Sequence, residues 1–197
     1  MSINVYMWEI LFEKIEAMSA LQLSADDKEH IRSGFKFRKM LKRQYLLQEG
    51  DICRYLGFII SGSCRMYTID DNGHEHILRL GVDGYWLGDY ESFYGLAPSR
   101  YHIEMLEDTQ LLLLTKTDLL ELSSKVPAVD QLIKNLNIKC VITTQNRIHA
   151  SISLNAAGKY NDLVKTHPVF LKRFPQTMIA SYLGISAETL TRIRRNN

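Results

Sequence analysis

The chain has 197 residues, of which 46% are apolar and 23% charged, with a net charge of +2. That apolar content suffices for one large domain or a medium domain plus a small one, and it excludes a disordered chain. The longest apolar runs, such as Leu111 to Leu114, fall far short of the roughly 20 residues a membrane-spanning helix needs. The N-terminus also lacks a basic-then-apolar leader, so a cytoplasmic protein without membrane attachment is expected.

Residues 4–18 place Val5, Trp8, Leu11, Phe12 and Ile15 at three- and four-residue intervals, the period of an amphipathic helix. A short second helix follows, with Ser24 as N-cap and Asp26 and Asp27 in a first turn whose dipole favours acids. From Phe35 to about Thr115 the pattern becomes one of short strands: Tyr45–Leu47, Leu56–Ile60, Cys64–Ile69, His76–Leu80, Tyr101–Met105 and Gln110–Leu114. Gly- and Asp-containing turns separate them, and this spacing argues for a β roll or barrel. Asn72-Gly73 is read as a tight hairpin turn in which both residues take positive φ.

After Thr115 the helical period returns. Thr117 is placed as the cap of a short helix through Leu122, and Pro127 in the first turn of a longer helix running to about Ala150. Val129, Ile133, Leu136, Cys140, Thr143, Arg147 and Ala150 recur there at alternating four- and three-residue steps, as a coiled-coil seam does. Such a seam pairs either with a second copy of the chain or with the chain's own β domain. Residues 151–155 read as the hinge into a C-terminal helical part.

That part is basic. Residues 155–197 carry seven Lys/Arg (Lys159, Lys165, Lys172, Arg173, Arg192, Arg194, Arg195) against Asp162 and Glu188, a net +5, which leaves −3 for residues 1–154. Phosphate binding by counterion release needs such an excess. Within it, Pro175 to Arg195 has the interdependent positions of a helix-turn-helix. Ala180 is small enough for a steep helix crossing and Gly184 can make the sharp turn, while Ile179, Leu183, Ile185, Leu190 and Ile193 pack the pair together. Ser186 then caps a second helix whose outer side is expected to present Ala187, Glu188, Thr189 and Arg192 to base edges. Arg194, Arg195, Lys172 and Arg173 are assigned to phosphates.

A β roll, a long helix and a terminal helix-turn-helix in this order resemble the Crp/Fnr family of bacterial transcription regulators. The similarity rests on Leu46-Leu47-Gln48-Glu49-Gly50-Asp51, Phe58-Ile59-Ile60-Ser61-Gly62-Ser63-Cys64-Arg65-Met66-Tyr67, Gly84-Tyr85-Trp86-Leu87-Gly88-Asp89 and the segment Ile179 to Ile193. It implies an α+β protein: residues 1–125 a double-stranded β-helix (a cupin-like jelly roll) with flanking helices, residues 126–150 a connecting helix that dimerises, and residues 151–197 a winged DNA-binding domain. The family's recognition helix often begins Ser-Arg-Glu-Thr, which Ser186, Glu188 and Thr189 match, with Arg192 four after the Glu. Ala187 stands where the first Arg is customary. The chain stops at Asn197, soon after that helix, which resembles a short subgroup of Bacteroidetes.

In cyclic-nucleotide-binding members, a turn and short helix after Gly-Glu hold the ribose and phosphate, and an Arg-Ser or Arg-Thr pair completes the cradle. Here the corresponding residues are Gly88, Asp89, Tyr90, Ser99 and Arg100, with Asp for Glu and the last pair reversed, so an effector other than cyclic AMP, or none, is expected. Cys53, Cys64 and Cys140 lie too far apart for a zinc or iron–sulfur site, and reduced core thiols are expected. His74-Glu75-His76 has two imidazoles on one strand face, but no Glu follows to complete a metal set with them, and His102 and Glu104 could supply one only through an unforeseen fold. There is no nucleophilic triad and no phosphate loop of the nucleotide-hydrolase kind. The expected protein is a non-enzymatic, cofactor-free DNA-binding regulator that partners double-stranded DNA, a second copy of itself and RNA polymerase. The alternative is a ligand-binding or interaction module whose C-terminal helices dock a protein.

Overall fold

A computed structural model describes residues 3–195, the side chains of residues 3–5 excepted, so the expected core role of Val5 lies outside the described residues. Helix α1 (Ile3–Ser19) buries Met7, Leu11, Phe12 and Ile15 along one stripe. Helix α2 (Ala25–Gly34) opens on Ser24, whose hydroxyl accepts the Asp27 N–H while the Asp27 carboxyl accepts the Ser24 N–H, a reciprocal capping box.

Eight strands follow: β1 (Lys36–Met40), β2 (Tyr45–Leu47), β3 (Tyr55–Ser61), β4 (Ser63–Ile69), β5 (Glu75–Val82), β6 (Trp86–Leu87), β7 (His102–Met105) and β8 (Thr109–Thr115), with helix α3 (Tyr90–Gly95) between β6 and β7. They form two four-stranded sheets ordered β1-β8-β3-β6 and β2-β7-β4-β5, the arrangement of a jelly roll. The register of β8 runs from Lys36↔Leu113 to Met40↔Thr109 on one side and from Tyr55↔Thr115 to Ile59↔Leu111 on the other. The central strand β8 is therefore an almost unbroken apolar run, with Leu111 to Leu114 buried.

The β4–β5 turn differs from the expected one. Gly73 N–H donates to the Asp70 carbonyl and Asp70 N–H to the His74 carbonyl, leaving a three-residue loop in which Gly73 (φ 81°) takes positive φ and Asn72 does not. The Asp70 carboxyl accepts the N–H groups of Asn72 and His74 and so supplies the tightness that a two-residue turn would get from its backbone.

Helix α4 (Lys116–Lys125) is capped by Thr115, not Thr117: the Thr115 hydroxyl takes the Asp118 N–H at 3.2 Å, so the helix starts where the strand ends. Helix α5 begins at Pro127 and runs to Ser153, three residues beyond Ala150. The break is confined to Leu154 and Asn155, because Asn155 at once caps helix α6 (Ala156–Thr166) through the Gly158 N–H. Helices α7 (Phe170–Arg173), α8 (Gln176–Leu183) and α9 (Ala187–Arg195) complete the described chain. No wing strand occurs among the described residues beyond α5.

The chain divides into two compact units, residues 1–65 with 81–139, and residues 66–80 with 140–197. The first holds most of the roll with α1 to α4 and the start of α5. The second joins the tip of the β4–β5 hairpin to the end of α5 and to α6–α9. No described helix is long and apolar enough to cross a membrane.

Candidate nucleic-acid interface and ligand pocket

In the second unit, Leu163, Phe170, Phe174, Ile179, Ala180 and Leu190 are buried together. The Phe170 ring meets Phe174 and Tyr182 edge-on at 5.3 and 5.9 Å and stacks with His167 at 4.9 Å. Helix α8 ends as the sequence suggests. Gly184 adopts φ 65° and ψ 41°, its N–H reaches the Ser181 carbonyl, and Ile185 N–H reaches the Ala180 carbonyl. These two bonds are a Schellman motif, which satisfies the last carbonyls of α8 and turns the chain into α9.

Ser186 caps α9 by accepting the Thr189 N–H at 3.2 Å, and its hydroxyl donates to the Thr189 hydroxyl at 3.1 Å. Thr189 and Ala187 are half-buried, less open than Glu188 and Arg192. The Thr189 N–H, the third of the helix, has no intrahelical acceptor and is drawn to the cap. With Leu190 buried, the exposed face is formed by Glu188, Thr191, Arg192 and Arg195, with Arg194 also exposed. Thr191 joins this face, a place legible from the helical phase of Leu190 and Ile193. The Glu188 carboxyl is held below its ordinary range by its own backbone N–H and then by the Ser186 hydroxyl, an anion at the positive end of the helix. Lys172 and Arg173 are exposed at the end of α7.

Helix α5 has two apolar stripes. Along the one read from the sequence Val129 is buried, the Cys140 sulfur accepts from Arg79 at 2.8 Å and Arg147 donates to the Leu78 carbonyl, while Thr143 is exposed. The other is open. Ile138 (58% exposed), Val141, Ile142, Ile148 and Ile152 (80%) lie along it.

The residues assigned to a ligand pocket lie in the first unit. Gly88 is pressed against β3, where a Cβ would come within 2.6 Å of Leu56. Asp89 and Ser99 are both buried and bound to each other: the Ser99 hydroxyl donates to one Asp89 oxygen at 2.7 Å, and the Glu91 N–H at the start of α3 donates to the other at 3.1 Å. Arg100 points out and pairs with Glu91 at 3.6 Å, both side chains being mostly exposed. Tyr90 stacks on Tyr94. A cavity of ≈ 690 Å³ lies instead in the second unit, lined by Arg147, Ile148, Lys159, Asp162, His167 and Tyr182 among others.

The imidazoles have separate partners. His102 faces Glu49, Glu104 is bound by Arg65 at 2.7 Å, and the His76 Nε2–H donates to the Asp70 carboxylate at 2.9 Å. No group of three metal-ligating side chains forms among the described residues. Burial pushes the Cys64 thiol up to about 12 and raises Cys53 as well, so neither is poised as a thiolate.

The His76 contact, followed by the His74 N–H, holds Asp70 at about 2 against its ordinary 3.8. A carboxyl depressed in the folded state stabilises the fold above the unfolded value and loses that contribution as pH falls through the folded one, here between 3.8 and about 2. NMR titration should find Asp70 near 2, rising towards 3.8 in His76→Ala. An unchanged value in that variant would show that the imidazole does not set it.

Residues 37–125 match the family model of the cyclic nucleotide-binding domain. No curated protein matches the chain. Among solved structures, FixK2 from Bradyrhizobium japonicum is similar with a TM-score of 0.70 at 15% identity, over 82% of this chain and 83% of that one. The c-di-GMP responsive global regulator CLP of Xanthomonas campestris gives 0.64 at 17% identity over 88% and 91%. A transcriptional regulator assigned to the crp/fnr family from Eubacterium rectale gives 0.63 at 18% over 88% and 83%. Residues 37–125 thus resemble a cyclic nucleotide-binding domain, and the chain shares its fold with these solved regulators.

Proposed function

We propose that this protein is a DNA-binding transcription regulator that works as a dimer and reads a palindromic site with one α9 helix per subunit. The observation that carries this reading is α9 itself. A Schellman turn and a Ser186 cap hold a basic helix whose open face offers Glu188, Thr191, Arg192 and Arg195. Arg192 can pair bidentately with guanine and Glu188 can accept from cytosine, while Arg194, Arg195, Lys172 and Arg173 serve phosphates. Two such helices would enter successive major grooves about 34 Å apart. The open stripe of α5 supplies the apolar face through which two copies meet. RNA polymerase is the further partner such a regulator needs, the chain itself performs no catalysis, and its place of action is the cytoplasm.

Selection of genomic fragments with the full chain should enrich a palindrome, and failure to enrich one would favour a protein-docking role for the helices. Arg192→Ala should then cost roughly 1–3 kcal/mol and relax the preference at one base pair per half-site. A uniform loss on all sequences would reassign Arg192 to the phosphates.

Cyclic AMP does not suit the first unit. A cyclic phosphate wants N–H donors and a guanidinium, but Asp89 already takes the Ser99 hydroxyl and the Glu91 N–H, and Arg100 lies outside. Calorimetry should detect no binding of cyclic AMP or cyclic GMP at micromolar concentration. Micromolar affinity for either would show that the Asp89–Ser99 pair opens.

A further inference from the structure

Strand β5 ends its sheet, so one side of its backbone has no strand neighbour. Within the second unit that side is met by side chains. The Ser181 hydroxyl of α8 accepts the Ile77 N–H at 3.1 Å and donates to the Glu75 carbonyl at 3.2 Å. These are two groups that a residue of a neighbouring strand would engage, so one hydroxyl stands in for a strand partner. Arg147 of α5 donates to the Leu78 carbonyl and, at 3.2 Å, to the Tyr182 carbonyl, and its guanidinium lies 4.3 Å from the centre of the Tyr182 ring. Burial raises the Tyr182 phenol, which remains neutral beneath that cation. Ser181 and Tyr182 are both on α8, one turn before Gly184 leads into α9.

We propose that Ser181 and Arg147 are positioning residues for DNA binding: they clamp α8 to the β5 edge and thereby set the direction of α9 before DNA arrives. This rests on the regulator reading above. Helices of 8 and 9 residues are too short to hold an orientation by themselves, so it must come from tertiary contacts. Fixing them on folding removes an ordering cost that binding would otherwise bear. Arg147 is committed to two carbonyls and an aromatic face, which separates it from the arginines that meet phosphate.

The test uses the full chain and its Ser181→Ala, Ser181→Thr and Arg147→Lys variants, measured on the selected palindrome and on random duplex across a salt series, with native-state amide exchange at Ile77. Ser181→Ala and Arg147→Lys should each weaken palindrome binding about 5–10-fold, the worth of about one hydrogen bond. The slope of log K against log salt should not move, since no phosphate contact is lost. Ile77 exchange should accelerate in Ser181→Ala, and Ser181→Thr, which keeps the hydroxyl, should restore both affinity and protection. Faster Ile77 exchange with unaltered palindrome affinity would overturn the positioning role alone, as would a shallower salt slope in Arg147→Lys. A parent chain that binds no duplex, with Ile77 still protected, would overturn the regulator reading and the positioning role together.

Discussion

With Val141 and Ile148 both replaced by Asp, the protein should sediment as a 22.8 kDa monomer where the parent sediments at twice that mass. Both side chains are more than half exposed in the single chain, so the substitutions should cost the fold little. They lie at the centre of the stripe Ile138, Val141, Ile142, Ile148 and Ile152, which has no partner within the described chain. Burying one such side chain contributes roughly 1.5–3 kcal/mol. Two-fold symmetry counts each change twice, so the pair should weaken association by on the order of 6 kcal/mol, before the cost of burying carboxylates. Sedimentation equilibrium at micromolar protein checks this, and palindrome binding should fall with it because each half-site would be bound alone. A parent that is monomeric at those concentrations would remove the stripe from its proposed role. So would a double variant that remains dimeric.

Phe170→Ala should destabilise the C-terminal unit by about 3–5 kcal/mol, the range for removing a buried aromatic side chain. Phe170 is 1% exposed and its ring is shared by His167, Phe174 and Tyr182, so three neighbours lose a contact at once. The loss is large against the 5–15 kcal/mol stability of a typical domain. It should appear in urea unfolding as a lower midpoint for the helical unit, and DNA binding should be lost at temperatures where the parent still binds. A destabilisation below about 1 kcal/mol would mean that Tyr182 and Phe174 can close over the gap.

Much of this architecture is legible residue by residue. Ser24 followed by Asp26 and Asp27, Pro127 at a helix start, Gly184 at the turn and Ser186 before α9 each mark a boundary, because caps and turns are decided by groups within four residues of one another. Strand β1 is not legible in this way. Lys36-Phe37-Arg38-Lys39-Met40 buries only Met40, and it is a strand because β8 pairs with it from more than 65 residues away. The short β6 is likewise defined by its pairing with β3.

The exposed side of α9 was half legible. Arg192, Glu188, Arg194 and Arg195 are exposed where the helical period puts them, Thr189 is half-buried beside its cap, and Thr191 is exposed as well. At the Asp89 turn, sequence reveals an acid for the family's Glu and a reversed Ser-Arg pair. That Ser99 turns its hydroxyl onto Asp89 follows from the folded loop bringing together residues ten apart.

By itself the sequence determined the succession of a helical, a strand-rich and a second helical region, the helix-turn-helix and its basic balance, since these follow from local backbone preference, side-chain period and charge. Only the tertiary structure decided which stripe of α5 is covered and which is open, and that Ser181 and Arg147 grip the edge of β5. A helix of 27 residues offers more than one apolar stripe, and nothing local says which one its own chain will claim. The bonds that decide it join residues 69 to 106 positions apart, Arg147 to Leu78 and Ser181 to Glu75, and exist only once the hairpin and the helices have met.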